Sequence, residues 1–223
     1  EGVAAREVRR IGPLQSEGDN PHKGRNSQGQ GLGVIVDFGA DGNVEESLLG
    51  LGFELVFVPP TTPIEDILAM SPDYVIFSNG PGDPDDNEAA IEVAREILGK
   101  VPVYGVGLGH QVMARAAGAN VIRLKHGHHG ANYPVKELAT GKMLTTLQNH
   151  TYTVDPENLP SSVVVTHINI NDGSIEGLRY KDPRTGDDLL AASVQFCPEG
   201  PFLLDALLQP KPAEQAKGAT HNA

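Results

Sequence analysis

A chain of 223 residues with a formal net charge of −12 suffices for one well-buried α/β domain with tails, and its acidity argues against nucleic acid or anionic membrane as partners. No apolar run reaches the ~18–20 residues needed to span a bilayer, and no charged-then-apolar leader pattern is expected at the N-terminus. The one cysteine, Cys197, excludes an intrachain disulfide and suits a reducing, cytoplasmic setting.

Residues 1–31 are polar and rich in Gly, Ser, Asn and Gln, and read as a flexible arm or linker. Val34–Phe38 reads as a buried strand. Asn43 caps a helix, with Glu46 completing a capping box and Gly52 just past its end. Glu54–Val58 is the next strand. Thr62 and Glu65 form a second capping box with Pro63 at the first helical position, and Ile64, Ile67 and Leu68 share the inner face of that helix. Tyr74–Phe77 is a strand. Residues 87–98 form a helix with Ile91, Ala94, Ile97 and Leu98 inward, stopped by Gly99. Val101–Val106 is the strand that follows.

This alternation predicts an α/β fold with a mainly parallel central sheet flanked by helices. After residue 120 the segments shorten and become more β-like, at Val121–Leu124, Met143–Leu147, Val163–His167, Ile175–Tyr180 and Leu189–Val194. Some antiparallel strands are expected there, then a short helix at Phe202–Leu208 and a disordered tail at 209–223. The domain itself is expected to occupy 32–208.

The stretch Val101-Pro-Val-Tyr-Gly-Val-Gly107-Leu-Gly-His-Gln111 is a strand, a tight turn and the start of a helix. A turn of this shape is a nucleophile elbow, which exposes one side chain above the end of a buried strand. The tip residue is Gly107, which has no reactive atom. Gly105 and Gly109 do not make a dinucleotide fingerprint, because the third glycine of Gly-x-Gly-x-x-Gly is misplaced.

The elbow resembles Gly-Ile-Cys-Leu-Gly-His-Gln of the class I (triad-type) glutamine amidotransferases. Val36-Asp-Phe-Gly39, Ser78-Asn-Gly-Pro-Gly-Asp-Pro84, Gly127-His-His-Gly130 with Asn132 and Pro134-Val135, and Gln148-Asn-His150 stand in that family's order and spacing. Over residues 32–207 the pattern is most similar to the glutaminase domain of the small subunit of carbamoyl-phosphate synthetase. The resemblance implies a flavodoxin-like fold and a role in hydrolysing glutamine to supply ammonia for carbamoyl phosphate, toward pyrimidines and arginine. It implies L-glutamine as ligand, partnership with a large synthetase subunit, and no cofactor. It also implies an N-terminal domain of comparable size packed on the glutaminase domain, where only the arm 1–31 is expected here.

In the family a cysteine thiolate attacks the glutamine amide, a histidine shuttles the proton and a glutamate orients the histidine. The nucleophile position corresponds to Gly107. The His-Pro-Glu motif corresponds to Cys197-Pro198-Glu199, so Cys197 replaces the catalytic histidine and Glu199 alone is retained. The expectation is an inactive or severely impaired glutaminase. One alternative is a non-enzymatic pseudoenzyme that binds glutamine or supports a synthetase. Another is a hydrolase using Cys197 as a relocated nucleophile with His150 as base.

By the same resemblance Gly80 and Gly82 line the glutamine pocket with backbone, Leu108 supplies an oxyanion-type N–H, and Gln111 and Asn149 hold the ligand's polar ends. Thr151 and Tyr152 stand where the family has a glycine and an aromatic residue; the threonine is expected to weaken glutamine binding. The run His126-Gly-His-His129 invites a metal reading, but the family carries the same histidine pair without a catalytic metal. A structured loop beside the substrate channel is expected instead.

Overall fold

The computed structural model describes residues 7–11, 31–40, 49 and 53–196. The helix expected from Asn43, the helix at 202–208, the tail, and both Cys197 and Glu199 lie outside the described residues.

Among the described residues, ten strands form one sheet. They are β1 (Arg9–Ile11), β2 (Leu32–Val36), β3 (Glu54–Val58), β4 (Tyr74–Phe77), β5 (Val103–Val106), β6 (Val121–Glu137), β7 (Met143–Val154), β8 (Val163–Asn169), β9 (Ile175–Lys181) and β10 (Asp188–Val194). Their spatial order is β1-β3-β2-β4-β5-β10-β9-β8-β6-β7. The strands β3, β2, β4, β5 and β10 are parallel. The pairs from β10 to β7 are antiparallel, and β1 joins β3 antiparallel. The expected α/β architecture is therefore present as a mixed sheet, with parallel pairs through the first half and, apart from β1, the antiparallel pairs gathered in the second.

Three helices are described: α1 (Ile64–Ala69), α2 (Glu88–Ile97) and α3 (Leu108–Ala116). Successive residues of a strand face opposite sides, and this divides the core in two. Val34, Val36, Val56, Val75 and Phe77 meet Ile67 of α1, Ile91 and Ala94 of α2 and Met113 of α3. Ile35, Leu55, Phe57, Ile76, Tyr104 and Val106 face the other way, with Val194 and Val135. Both faces are dry, so β2 to β5 read as continuous apolar runs. Each such Val, Ile, Leu or Phe contributes roughly 1.5–3 kcal/mol by leaving water.

Four local expectations change. Arg9–Ile11, inside the expected flexible arm, is strand β1, with the Arg9 guanidinium 4.3 Å over the Phe57 ring. Pro63 is the cap residue of α1 rather than its first residue, and no side chain caps the helix. The Thr62 hydroxyl donates instead to the Pro59 carbonyl at 2.8 Å. His126–His129 lie within the 17-residue strand β6, not in a loop. The glycines at 127 and 130 suggest a loop, but pairing with β7 holds them in a bulged strand.

Candidate functional site

In an open parallel sheet, ligands bind beyond the carboxyl ends of the strands, near where strand order reverses. Here the order reverses at β2, and a cleft of about 470 Å³ opens beyond β2, β4, β5 and β10. Its walls bring together Gly80, Gly82, Gly107, Leu108, Gln111, Asn149, Thr151 and Tyr152. Every described residue singled out from the sequence as a binding or elbow position is therefore in one place.

The elbow is built by close packing. Gly107 has φ 54° and ψ −111°, between β5 and the first turn of α3. This is a left-handed conformation that only glycine enters without strain. Its N–H donates to the Val194 carbonyl of β10 at 2.9 Å, and its carbonyl accepts from the Gln111 N–H. A Cβ placed on Gly107 would lie 3.1 Å from Asn79 Cβ, tight but nearly accommodated. The flanking glycines serve packing. A Cβ on Gly109 would fall 2.0 Å from the Phe77 carbonyl oxygen, and one on Gly105 would fall 2.6 Å from Met113 Sδ. Helix α3 thus presses its first turn onto β4 and β5, which fixes the direction of its N-terminus. The first N–H groups of a helix have no partner within it, and the positive end of the dipole favours a negative oxygen there. Leu108 is the first residue of α3.

The second wall is the loop after β4. The Ser78 hydroxyl accepts from the Phe38 N–H at 3.0 Å and donates to the Asn79 carbonyl at 2.7 Å. A Cβ on Gly80 would fall 2.2 Å from the Phe38 carbonyl oxygen, so the loop lies directly against the chain leaving β2. Asp37 steadies that chain by accepting from the Gly39 and Ala40 N–H groups. Farther along, the Tyr152 hydroxyl donates to Asp83 in a hydrogen bond that ties the loop to β7. That bond, then the Asp85 N–H, hold the Asp83 carboxyl below its ordinary range.

Gln111 is buried, and its Nε2 donates to Gln195 Oε1 at 3.0 Å and to the Tyr152 carbonyl at 3.3 Å. The Asn149 amide oxygen sits 2.7 Å from His129 Nδ1. Two further cleft atoms, Asn79 Oδ1 and Gln195 Nε2, are buried without a hydrogen-bond partner among the described residues. An unpaired buried polar atom costs roughly 1–3 kcal/mol. Asn79 was visible only as part of a loop motif. Gln195 carried no signal beyond its place two residues before Cys197.

His150 borders the cleft, but both ring nitrogens are engaged: Nδ1 with the Tyr152 carbonyl at 2.7 Å and Nε2 with Gln148 at 3.1 Å. Burial pushes its pKa down to about 4. It is positioned as a strut rather than as the base that a relocated nucleophile needs. His110, beneath the elbow, is fully buried against Ser193 Oγ at 2.8 Å, and burial lowers its pKa to about 3. His128, His150 and Glu176 bring their ligand-type atoms within 4.8 Å of one another, joined through Gln148.

Comparison with known proteins agrees with this geometry. The family model "Glutamine amidotransferase class-I" matches residues 34–201. A carbamoyl phosphate synthase small chain from Staphylococcus epidermidis is 48% identical over 167 residues, which is 74% of this chain and 44% of that one. The chloroplastic counterpart from Arabidopsis thaliana is 43% identical over 166 residues, 74% of this chain and 37% of that one. The chain thus spans less than half the length of these two relatives. A solved structure described as a putative GMP synthase component from Thermoplasma acidophilum superposes with TM-score 0.66 at 19% identity, covering 80% of this chain and 92% of the other. A glutamine amidotransferase from Thermotoga maritima gives 0.57 at 21% identity, covering 75% of each chain. At such identities these two likenesses concern the fold alone.

Proposed function

The chain belongs to the class I glutamine amidotransferase family, and from that premise we propose that it is a degenerate glutaminase domain of the carbamoyl-phosphate synthetase small-subunit type. It keeps a glutamine pocket and lacks thiol-based hydrolysis. The carrying observation is Gly107, which holds an elbow conformation at the floor of an assembled cleft with no side chain to attack from.

A glutamine in this cleft meets complementary groups. Its side-chain amide lies over the elbow, with the Leu108 N–H toward its carbonyl oxygen. Its α-ammonium and α-carboxylate meet the polar wall of the cleft, where Asn79 and Gln195 stand. Gln111 and Asn149 complete the polar lining. Thr151 brings a side chain to the cleft wall and weakens binding. Without a nucleophile, only binding and oxyanion stabilisation remain, and turnover falls by several orders of magnitude relative to an intact triad. In the ancestral role ammonia passes to a large synthetase subunit. A pseudoenzyme supporting such a synthetase fits the retained pocket, and the setting is cytoplasmic.

The test is ammonia release from glutamine by the purified chain beside a Gly107→Cys, Cys197→His double variant. Release by the variant alone is the expected result. Release by the native chain, abolished by Cys197→Ser, would replace this proposal with relocated catalysis at Cys197. Failure of both chains to bind glutamine would remove the pocket assignment.

A further inference from the structure

Behind the cleft, β6, β7 and β9 close on a polar cluster that the proposed chemistry does not use. Glu176 of β9 is fully buried, and Gln148, His128 and His150 are buried around it. Gln148 is the hub. Its Oε1 lies 2.8 Å from His128 Nδ1 and 3.1 Å from His150 Nε2. Its Nε2 lies 3.1 Å from Thr146 Oγ1 and 3.0 Å from Glu176 Oε2.

The other nitrogen of each ring already faces an acceptor. His128 Nε2 is 2.9 Å from Asp172 Oδ2, and His150 Nδ1 is 2.7 Å from the Tyr152 carbonyl oxygen. Each of those nitrogens must carry a hydrogen. With Oε1 turned to the rings, each ring would need its second hydrogen as well. Two imidazolium ions would then sit with ring centroids 4.8 Å apart inside the protein. Burial opposes this first, and the neighbouring His128 and His129 add to it, holding His150 down to about 4.

The two ends of an amide have the same shape, so its neighbours decide its orientation. Turned over, Gln148 gives one N–H to His128 Nδ1 and the other to His150 Nε2. Its oxygen then faces Glu176 Oε2, and the Thr146 hydroxyl turns to it from the Tyr133 carbonyl. Two oxygens at that separation need a proton between them. Burial supplies the reason for one on Glu176, whose pKa it pushes up to about 8. The groups facing Glu176 are His128 of β6 at 3.6 Å, His150 of β7 at 4.0 Å, Asn169 of β8, whose side chain works against burial by favouring the ionised form, and Asp172 and Ser174 of the turn before β9. Beyond Gln148 the chain of contacts runs through His150 to the Tyr152 carbonyl, which with Gln195 holds Gln111.

We propose that Glu176 is a positioning residue: as a neutral carboxylic acid it sets the Gln148 amide, and through His150 and the Tyr152 carbonyl it fixes Gln111 in the ligand cleft. Ionisation of Glu176 breaks this relay. The link to Gln111 rests on the proposed glutamine-binding function; the proton on Glu176 does not.

Infrared spectra of the full chain, taken about one pH unit below and above the Glu176 transition near 8, test the proton. The native chain is expected to show a protonated-carboxyl C=O band only at the lower pH, and Glu176→Gln to lack it. Nitrogen-15 NMR at the lower pH should find His150 protonated on Nδ1 and bare on Nε2. Calorimetry should find the glutamine Kd of the native chain about tenfold weaker at the higher pH, the loss expected when one buried hydrogen bond fails. In Glu176→Gln, whose N–H preserves the donation to Gln148, the Kd should change with pH by well under tenfold, the remainder coming from the ligand's own α-ammonium. Absence of the band, or a doubly protonated His150, overturns the proposal. So does a glutamine affinity whose pH profile is the same in both chains. Band and tautomer present with no glutamine binding at any pH overturns the proposed function and the link to Gln111, and leaves the Glu176 proton standing.

Discussion

Three glycines at the cleft differ in what a single methyl would meet, and their alanine variants rank accordingly. Gly107→Ala strains a left-handed turn and crowds Asn79, and is expected to cost ~1–3 kcal/mol in urea unfolding. Gly80→Ala drives a Cβ against the Phe38 carbonyl, backbone that cannot step aside, and should cost more. Gly82→Ala meets nothing within 4 Å and carries only the strain of φ +122°, so it should cost least. A different order of unfolding midpoints would contradict this account of the elbow. At this scale much was legible from sequence, because glycines and short polar motifs announce turns locally. The role of Glu176 was not legible. A glutamate in an alternating strand reads as solvent-facing, and only the tertiary approach of Gln148, 28 residues away, shows otherwise.

Among elements, the tie between the loop after β4 and strand β7 is the contact that shapes the cleft mouth. Tyr152→Phe deletes the hydroxyl that reaches Asp83 while leaving Asp83 bound to the Asp85 N–H. Amide exchange across residues 79–86 is expected to quicken, with the thermal midpoint of the chain nearly unchanged. Equal exchange in both chains would remove the tie as a constraint. Strand and helix positions in the parallel half followed from apolar runs, and Glu54–Val58 and Tyr74–Phe77 match residue for residue. The hairpin of β6 and β7 did not follow. Its pattern is half polar and glycine-bearing, so its 17- and 12-residue strands are defined by each other rather than by local preference. Strand β1 escaped notice for the same reason: three residues gain strand geometry only by pairing with β3.

For the whole molecule the buried titrating groups define a pH profile. His110 and His150 have folded pKa values lowered from 6.5 to about 3 and about 4, chiefly by burial. Their contribution is complete above 6.5 and is lost as pH falls toward those values. Glu176 is raised from 4.5 to about 8, again chiefly by burial. Its contribution is complete below 4.5 and is lost as pH rises through 8. Each group changes stability by up to ~1.4 kcal/mol per pH unit within its window. Between 4.5 and 6.5 these two histidines, joined by His167, whose pKa burial also lowers, outweigh one glutamate, and from 6.5 to 8 the glutamate dominates. Unfolding free energy should therefore peak near pH 6.5, and Glu176→Gln should flatten the alkaline limb only. Denaturant titrations across this range check it, and an alkaline limb unchanged in the variant would count against the buried proton. The parallel half of the sheet was legible because alternation of apolar strands and helices admits few topologies. The elbow adds a historical consequence. Glycine at 107, on the proposed reading, relaxes a turn that a cysteine would strain, and a cysteine there lacks its histidine until residue 197 changes as well. On the proposed reading, the first step back toward catalysis lowers fitness of the fold and returns nothing. The loss behaves on that reading as a ratchet, and the pocket is free to be refined as a receptor.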